Sequence, residues 1–484
     1  MARRAPLFER VALCLLIGLI LWAPFPLGSN RAWAWGLLEA GLFIAGICWL
    51  VGWRRNEFSV PETVAKTWPA LALLAAWLVY LVFHWIPLPL AVVNLLSPRA
   101  ASLYSQVAGF GDPVAYLSVD PSASFMFWLK SCAYAMAFFL VLALCRDRGR
   151  LRLVASALVL SGLVQAVYGG LMHLAGENMV IFGATIAHSS QASGGYVNRN
   201  HLAGFLEITL AIGIGLMIAD LEDGGRRSWR RFIRDMASVL LSRKAPLRIF
   251  LIVMVIGLVM TRSRMGNTAF FSSLLVAGAI GLALSRHATR STVILIASLI
   301  VMDIFIVGAW FGVEKTVQRI EQTSQRDVEE RVDPSGQALA IFRDFPATGS
   351  GAGTFYTAFS RYRSEDILPF FDFVHNDYVQ ILTDTGAIGL CLIGTFALAS
   401  LGASLLAQAR RRDPLARGMG FAVVMGVTSL GIHSTVDFNL QIPANAFAFM
   451  ILLAFGWLSL FLGRGGHRQG RHSSGKSAEV LPVR

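Results

Sequence analysis

Long apolar runs separated by short polar segments set the pattern of this chain. Continuous hydrophobic stretches occupy about 11–28, 32–53, 68–89, 125–144, 151–175, 201–221, 248–261, 267–285, 291–313, 386–409, 415–435 and 445–463. A helix needs about 20 mostly apolar residues to cross a bilayer, so the pattern predicts an all-α polytopic membrane protein with about 12 transmembrane helices. Strands of a membrane barrel alternate apolar and polar residues over about ten positions. These runs are continuous, so a barrel is excluded.

Composition agrees and adds a puzzle. The 484 residues are 55% hydrophobic and only 15% charged, with a mean hydropathy of +0.59, too apolar for a water-soluble domain. Yet 42 Lys and Arg outnumber 29 Asp and Glu, for a net charge of +13. A nucleic-acid binder would gather these charges on a polar domain or stripe. Here most fall in 1–10, 53–67, 145–152, 221–248, 286–290, 410–417 and the tail. Those segments share one side if the twelve spans alternate. Short loops on the other side hold only Arg31, Arg99, Arg199, Arg262 and Arg264. Basic residues resist translocation, so the expectation is both termini in the cytoplasm, basic segments beside anionic lipid, and no nucleic-acid partner. The first apolar run is longer than the core of a signal peptide and reads as a retained span. Cys14, Cys48, Cys132, Cys145 and Cys391 lie in or beside spans without a CxxC pair and read as small apolar residues.

The expected organisation is three-part. Residues 1–190 hold spans one to five and an outer loop at 90–124. Residues 191–463 hold the remaining spans and a large outer loop, 314–385, between spans nine and ten. Residues 464–484 form a Gly-, Ser- and Arg-rich tail whose composition reads as disordered. In the large loop, SGQALAIFRDFP predicts an amphipathic helix ended by Pro346. TGSGAGTF then predicts a glycine turn, and HNDYVQILTDTGAIGL leads into span ten.

The polar residues that carry chemistry map to the outer side. Arg262 and Arg264, in TRSRMGNT, stand where topology disfavours them, and guanidinium groups bind phosphate as a bidentate fork. One arginine at a helix end is accounted for by snorkelling; two point to a phosphorylated headgroup or a diphosphate. His375 has the residue type suited to proton transfer near neutrality, with Asn376, Asp377 and Asp384 close enough in sequence to orient it. GSGAG (349–353) reads as a tight turn or as a backbone phosphate cradle. VNRNHLAGF places Asn198, Arg199, Asn200 and His201 at the mouth of span six, with Glu207 about two turns inside. HSTVDFN places His433 and Asp437 one turn apart if that helix continues. Glu39, Lys130, Glu207 and Asp303 lie inside spans, the kind of residue that marks an ion path. A solute transporter is therefore a competing class, without the broken helices and inverted repeat that would favour it. No HExxH or CxxC spacing supports a metal site.

Together, SRMG (263–266), Arg331 at the opening of the loop helix, DFPATGSGAGTF (344–355), HNDYVQILTDTGAIGL (375–390) and HSTVDFNLQIPAN (433–445) resemble the O-antigen ligase and polymerase superfamily. The resemblance covers about 195–445. It implies a GT-C-like membrane glycosyltransferase of the bacterial inner membrane. Such an enzyme moves a glycan from undecaprenyl diphosphate to an acceptor hydroxyl at the periplasmic face, without metal or cofactor. On that resemblance Arg264 and Arg331 would hold the diphosphate, and His375 would be the general base. Arg262 joins the diphosphate group, and Arg199, Asn376, Asp377, His433 and Asp437 form a second tier. SGQALAIF lacks the tryptophan of the family's loop helix. Lipid A core, the growing glycan and a protein hydroxyl all stand open as acceptors.

Overall fold

The computed structural model describes residues 6–107, 114–175, 179–181, 184–186, 191–222, 245–284, 325–363 and 371–463. In chain order the elements are α1 Leu7–Trp22, α2 Ala32–Arg54, α3 Glu62–Lys66, α4 Trp68–Trp85, β1 Leu88–Pro89, α5 Leu90–Leu96, α6 Pro98–Val107 and β2 Val114–Ala115. They continue with α7 Pro121–Leu144, α8 Arg148–Ala175, β3 Met179–Ile181, β4 Ala184–Ile186, α9 Arg199–Glu222, α10 Ala245–Met260 and α11 Arg264–Leu284. Last come α12 Gln325–Asp344, α13 Phe355–Phe359, α14 Asp377–Arg410, α15 Pro414–His433 and α16 Pro443–Phe461. Two short antiparallel pairs, β1–β2 and β3–β4, are the strands among the described residues.

Each expected span within the described residues coincides with a helix, and nine of these are long and apolar enough to cross a membrane. The span expected at 291–313 and the tail at 464–484 lie outside the described residues. Sharp starts come from local chemistry. Pro121 and Pro414 occupy first helical turns, where a missing N–H costs nothing. The Asp120 and Asp413 side chains accept the orphan N–H groups of Ala123 and of Leu415 and Ala416.

Helix α9 is buried on every side and packs against α8, α15 and α16. A helix apolar all round belongs at the centre of a bundle. The outer helices keep apolar residues exposed, among them Leu37, Ile44, Ile47, Val79, Phe83 and Leu398. Such a surface suits hydrocarbon rather than water.

The two ends of the bundle differ. At one end the Glu9 carboxylate, 2% exposed, accepts from Arg150 at 2.7 and 3.1 Å and pairs with Arg146 at 2.6 Å. Arg152 pairs with Asp220 at 2.7 Å and Arg148 with Asp413. Arginines expected only to orient the chain also staple α1, α8, α9 and α15 together. At the opposite end, segments from both outer loops form a second small core of Val93, Ala100, Leu117, Ile341, Phe345 and Phe355.

Helix α14 starts nine residues before the expected edge of span ten at 386, and Gly386 (φ 65°, ψ −172°) breaks it. The start is earlier because Asn376 caps it, its side chain accepting from Tyr378 N and Val379 N. The glycine turn repairs the break. Ser350 N donates to Thr383 O at 2.9 Å and Gly351 N to Asp384 O at 3.0 Å. Across the same break Ala387 N donates to Pro346 O at 3.0 Å and Ile388 N to Ala347 O at 3.2 Å. Gly386 carries a conformation that a side chain strains, and a Cβ there would overlap the Ala347 carbonyl. Gly386→Ala is expected to destabilise the protein by about 2 kcal/mol or more, read as a lower melting temperature in detergent. An unchanged melt would show that the glycine turn does not clamp the break.

Candidate active site at the histidine-bearing end

The site forms where α9, α14 and the 434–442 connection meet. Gly204 on α9 has no side chain, and a Cβ there would overlap Asn439 Oδ1. The connection therefore packs directly on the helix. Asn445 Nδ2 fixes the approach by donating to His201 O at 2.9 Å and Asn439 Oδ1 at 3.2 Å. This contact delivers Asp437 to the first turn of α9.

Asp437, 1% exposed, gathers the polar residues. Its Oδ2 accepts from Asn200 Nδ2 at 2.6 Å and its Oδ1 from Phe438 N at 2.8 Å. His201 Nε2 lies 3.5 Å from Oδ1 and His375 Nδ1 lies 3.9 Å from the same atom. His201 is 6% exposed and His375 23%, so His375 is the imidazole that meets the outside. Phe438 stands between the two rings, edge-to-face, with centroids 4.7 Å from His201 and 4.9 Å from His375. Burial alone pushes the Asp437 carboxyl up. His201, His433 and the Phe438 N–H outweigh burial and hold it well below the usual carboxylate range. It therefore stabilises the fold fully above roughly pH 4, and that contribution is lost as pH falls below this.

The carboxylates nearest His375 in sequence serve other partners. Asp377, 1% exposed, accepts from Ser434 Oγ at 2.7 Å, Leu440 N at 3.1 Å and Gln441 Nε2 at 3.3 Å. Its own N–H donates to Ser434 O at 3.0 Å, and Asn376 Nδ2 donates to Thr435 O at 2.9 Å. Both residues tie α14 to the 434–441 connection. Asp384 Oδ2 accepts from Gln380 Nε2 at 2.8 Å, and the N–H groups of Gly353, Thr354 and Phe355 face its carboxyl group. The phosphate-cradle reading of the glycine turn is corrected by where its N–H groups go: those of Gly349, Ser350, Gly351 and Ala352 donate to Phe345 O, Thr383 O, Asp384 O and His84 Nδ1.

His433 also differs from expectation. Helix α15 ends at this residue, so Asp437 lies beyond a turn rather than on the next helical turn. His433 Nδ1 instead donates to Glu207 Oε1 at 2.7 Å, and Glu207 Oε2 accepts from Ser429 at 2.7 Å. The pair is almost wholly buried. Of the other intramembrane charges, Lys130 lies over the Trp35 ring at 3.7 Å and interacts with Glu39; Asp303 lies outside the described residues.

The arginines border this cluster. Arg262 closes α10 in a left-handed conformation (φ 53°), which a non-glycine residue adopts at some cost. Arg264 opens α11 and is exposed. Ser263 caps α11 through Oγ, accepting from Gly266 N at 3.2 Å. Gly266 packs against Ala203, where an added Cβ would sit 2.7 Å away. The arginine-bearing turn thus meets α9 two residues past His201. Arg199 is the first residue of α9. Arg331 falls in α12, and its side chain lies outside the described set.

Sequence reasoning named Asn200, His201 and Glu207 only as polar residues near a helix mouth. The contacts that give them a place link positions 226 to 237 residues apart. The signal was there in part, because NRNH and HSTVDFN are polar runs at two helix ends of the same side.

This is a multi-pass helical membrane protein with a buried carboxylate–imidazole site at one end. Residues 249–394 match the family model described as O-antigen ligase. The match holds Arg262, Arg264, Arg331 and His375, while the α9 and 434–442 residues of the site fall outside it. No curated protein matches the chain.

Asp377→Ala removes the acceptor of three donors and is expected to cost about 2–3 kcal/mol, measured as thermal or denaturant unfolding in detergent. A loss below about 0.5 kcal/mol would fit a surface position rather than an anchor.

Proposed function

We propose that this protein is a metal-independent glycosyltransferase of the bacterial inner membrane, with GT-C-like architecture, both termini cytoplasmic and its histidine-bearing end periplasmic. It takes a glycan from undecaprenyl diphosphate and joins it to an acceptor hydroxyl, as an O-antigen ligase or an O-antigen or exopolysaccharide polymerase. The observation that carries this reading is the exposure of His375 at the edge of an otherwise buried polar cluster. The cluster borders the turn that bears Arg262 and Arg264.

In this reading His375 takes the proton of the acceptor hydroxyl as the oxygen attacks the anomeric carbon. The bond from that carbon to the diphosphate oxygen breaks, and undecaprenyl diphosphate leaves with both bonding electrons. Arg264, Arg262 and Arg331 meet the charge that develops on the leaving group, a task suited to guanidinium donors in a water-poor site. No cofactor is needed. The polyprenyl tail stays in the bilayer, which suits a bundle whose outer helices expose apolar faces.

Reconstituted protein supplied with an undecaprenyl-diphosphate-linked oligosaccharide is expected to transfer it to one of three acceptors offered separately: lipid A core, a second lipid-linked glycan, or a Ser-containing polypeptide. The last outcome would make the protein an O-oligosaccharyltransferase. Solute flux across the vesicle without transfer to any acceptor would overturn the reading in favour of a transporter.

His375→Ala is expected to reduce transfer by about 10²–10⁴-fold, while Arg264→Lys loses about tenfold or more because an ammonium cannot form the bidentate fork. Both variants should insert and melt like the unmodified protein. Wild-type rates in either one would refute the role given to that residue.

A further inference from the structure

A histidine that acts as a base needs one ring nitrogen held protonated so that the other can accept. Asp377 and Asp384 are closest in sequence, but the Asp377 oxygens are engaged by the 434–441 connection, and Asp384 Oδ2 accepts from Gln380 beside the glycine turn. Among the described residues, Asp437 Oδ1 faces His375 Nδ1, at 3.9 Å. That separation exceeds a hydrogen bond, and catalytic contacts of this kind shorten when substrate binds. Asp437 is itself held from α9 by Asn200 Nδ2 at 2.6 Å and His201 Nε2 at 3.5 Å. Phe438 packs against both imidazoles. Two histidines from distant helices therefore share one carboxylate and one aromatic spacer, with one of them buried and the other open.

We infer that Asp437, fixed by Asn200 and His201 at the start of α9, is the positioning residue of His375, accepting the Nδ1 proton and leaving Nε2 to receive the proton of the acceptor hydroxyl. This rests on the transfer reading above. When the hydroxyl proton moves to Nε2, the imidazolium keeps its Nδ1–H toward the carboxylate. After glycan and undecaprenyl diphosphate depart, the Nε2 proton passes to water, and no further reactant is required. The buried Glu207–His433 pair lies behind this group and contributes to its electrostatic surroundings.

The test is a pH–rate profile of the reconstituted protein, using a saturating undecaprenyl-diphosphate-linked oligosaccharide and the acceptor that supports transfer in wild type. The titratable groups around Asp437 are His201 and Glu207 on α9, His433 on α15, Asp377 on α14, and His375. Asp437→Asn is expected to lower kcat by about 10²-fold or more with KM for the lipid-linked donor little changed. Loss of the negative charge disfavours the imidazolium, so the acid limb moves to lower pH. Asn200→Ala keeps the carboxylate but removes a donor from it. This makes Asp437 more basic, and the limb moves to higher pH with a smaller fall in kcat. Asp437→Glu restores the limb toward its wild-type position.

Wild-type kcat and an unmoved limb in Asp437→Asn overturn the inference. A drop in folded, active protein with the limb unmoved also overturns it, because Asp437 would then serve folding alone. Full activity of His375→Ala, or no transfer by wild type to any acceptor, overturns the transfer reading instead.

Discussion

A buried carboxylate inside an apolar helix bundle must be surrounded by donors, because desolvation of an unpaired charge costs several kcal/mol. Four such groups, Glu207, Asp377, Asp384 and Asp437, lie toward one end of this bundle and together organise it. Asp437 binds α9 to the 434–442 connection, and Asp377 binds that connection to α14. Asp384 faces the glycine turn from α14, and Glu207 binds α9 to α15. Every element that carries a candidate site residue, apart from the arginine turn and α12, is held by one of these carboxylates. The geometry of the end is thus a hydrogen-bond problem solved jointly, and removing one acceptor leaves several donors stranded.

The break in α14 belongs to the same solution. A straight helix would satisfy its own carbonyls and offer the glycine turn nothing to bind. Gly386 frees those groups, and the turn takes them up through Ser350 N and Gly351 N. Tyr80 OH, donating to Thr385 O at 2.6 Å, adds a contact from α4. The outer loops are consequently built onto the bundle instead of hanging from it. His375 sits immediately before the Asn376 cap of this anchored helix, which gives it a rigid support.

Charge divides between the two ends by role. Arginines at the Glu9 end pair with Glu9, Asp220 and Asp413 and hold helices together. At the other end Arg99 pairs with Asp344 at 3.3 Å, and the turn that bears Arg262 and Arg264 borders the imidazole cluster. Net charge alone would have suggested a polyanionic partner; its distribution along the chain removes that reading.

Sequence by itself determined the spans and the residue types available for chemistry. Span length and charge bias are properties of single segments, and bilayer thickness and lipid charge act on each segment separately. It also revealed His375 and the arginine turn, because a histidine before a helix cap and two arginines on a disfavoured side are local signals. Tertiary structure decided which groups pair. Asn376, Asp377 and Asp384 looked like partners of His375 from spacing, yet bind the 434–441 connection and the glycine turn. Glu207 and His433 meet over 226 residues of sequence. Asp437 reaches α9 because Gly204 leaves room for Asn439. Such pairings depend on where separate helices end in space and how closely they pack, and no local spacing encodes either.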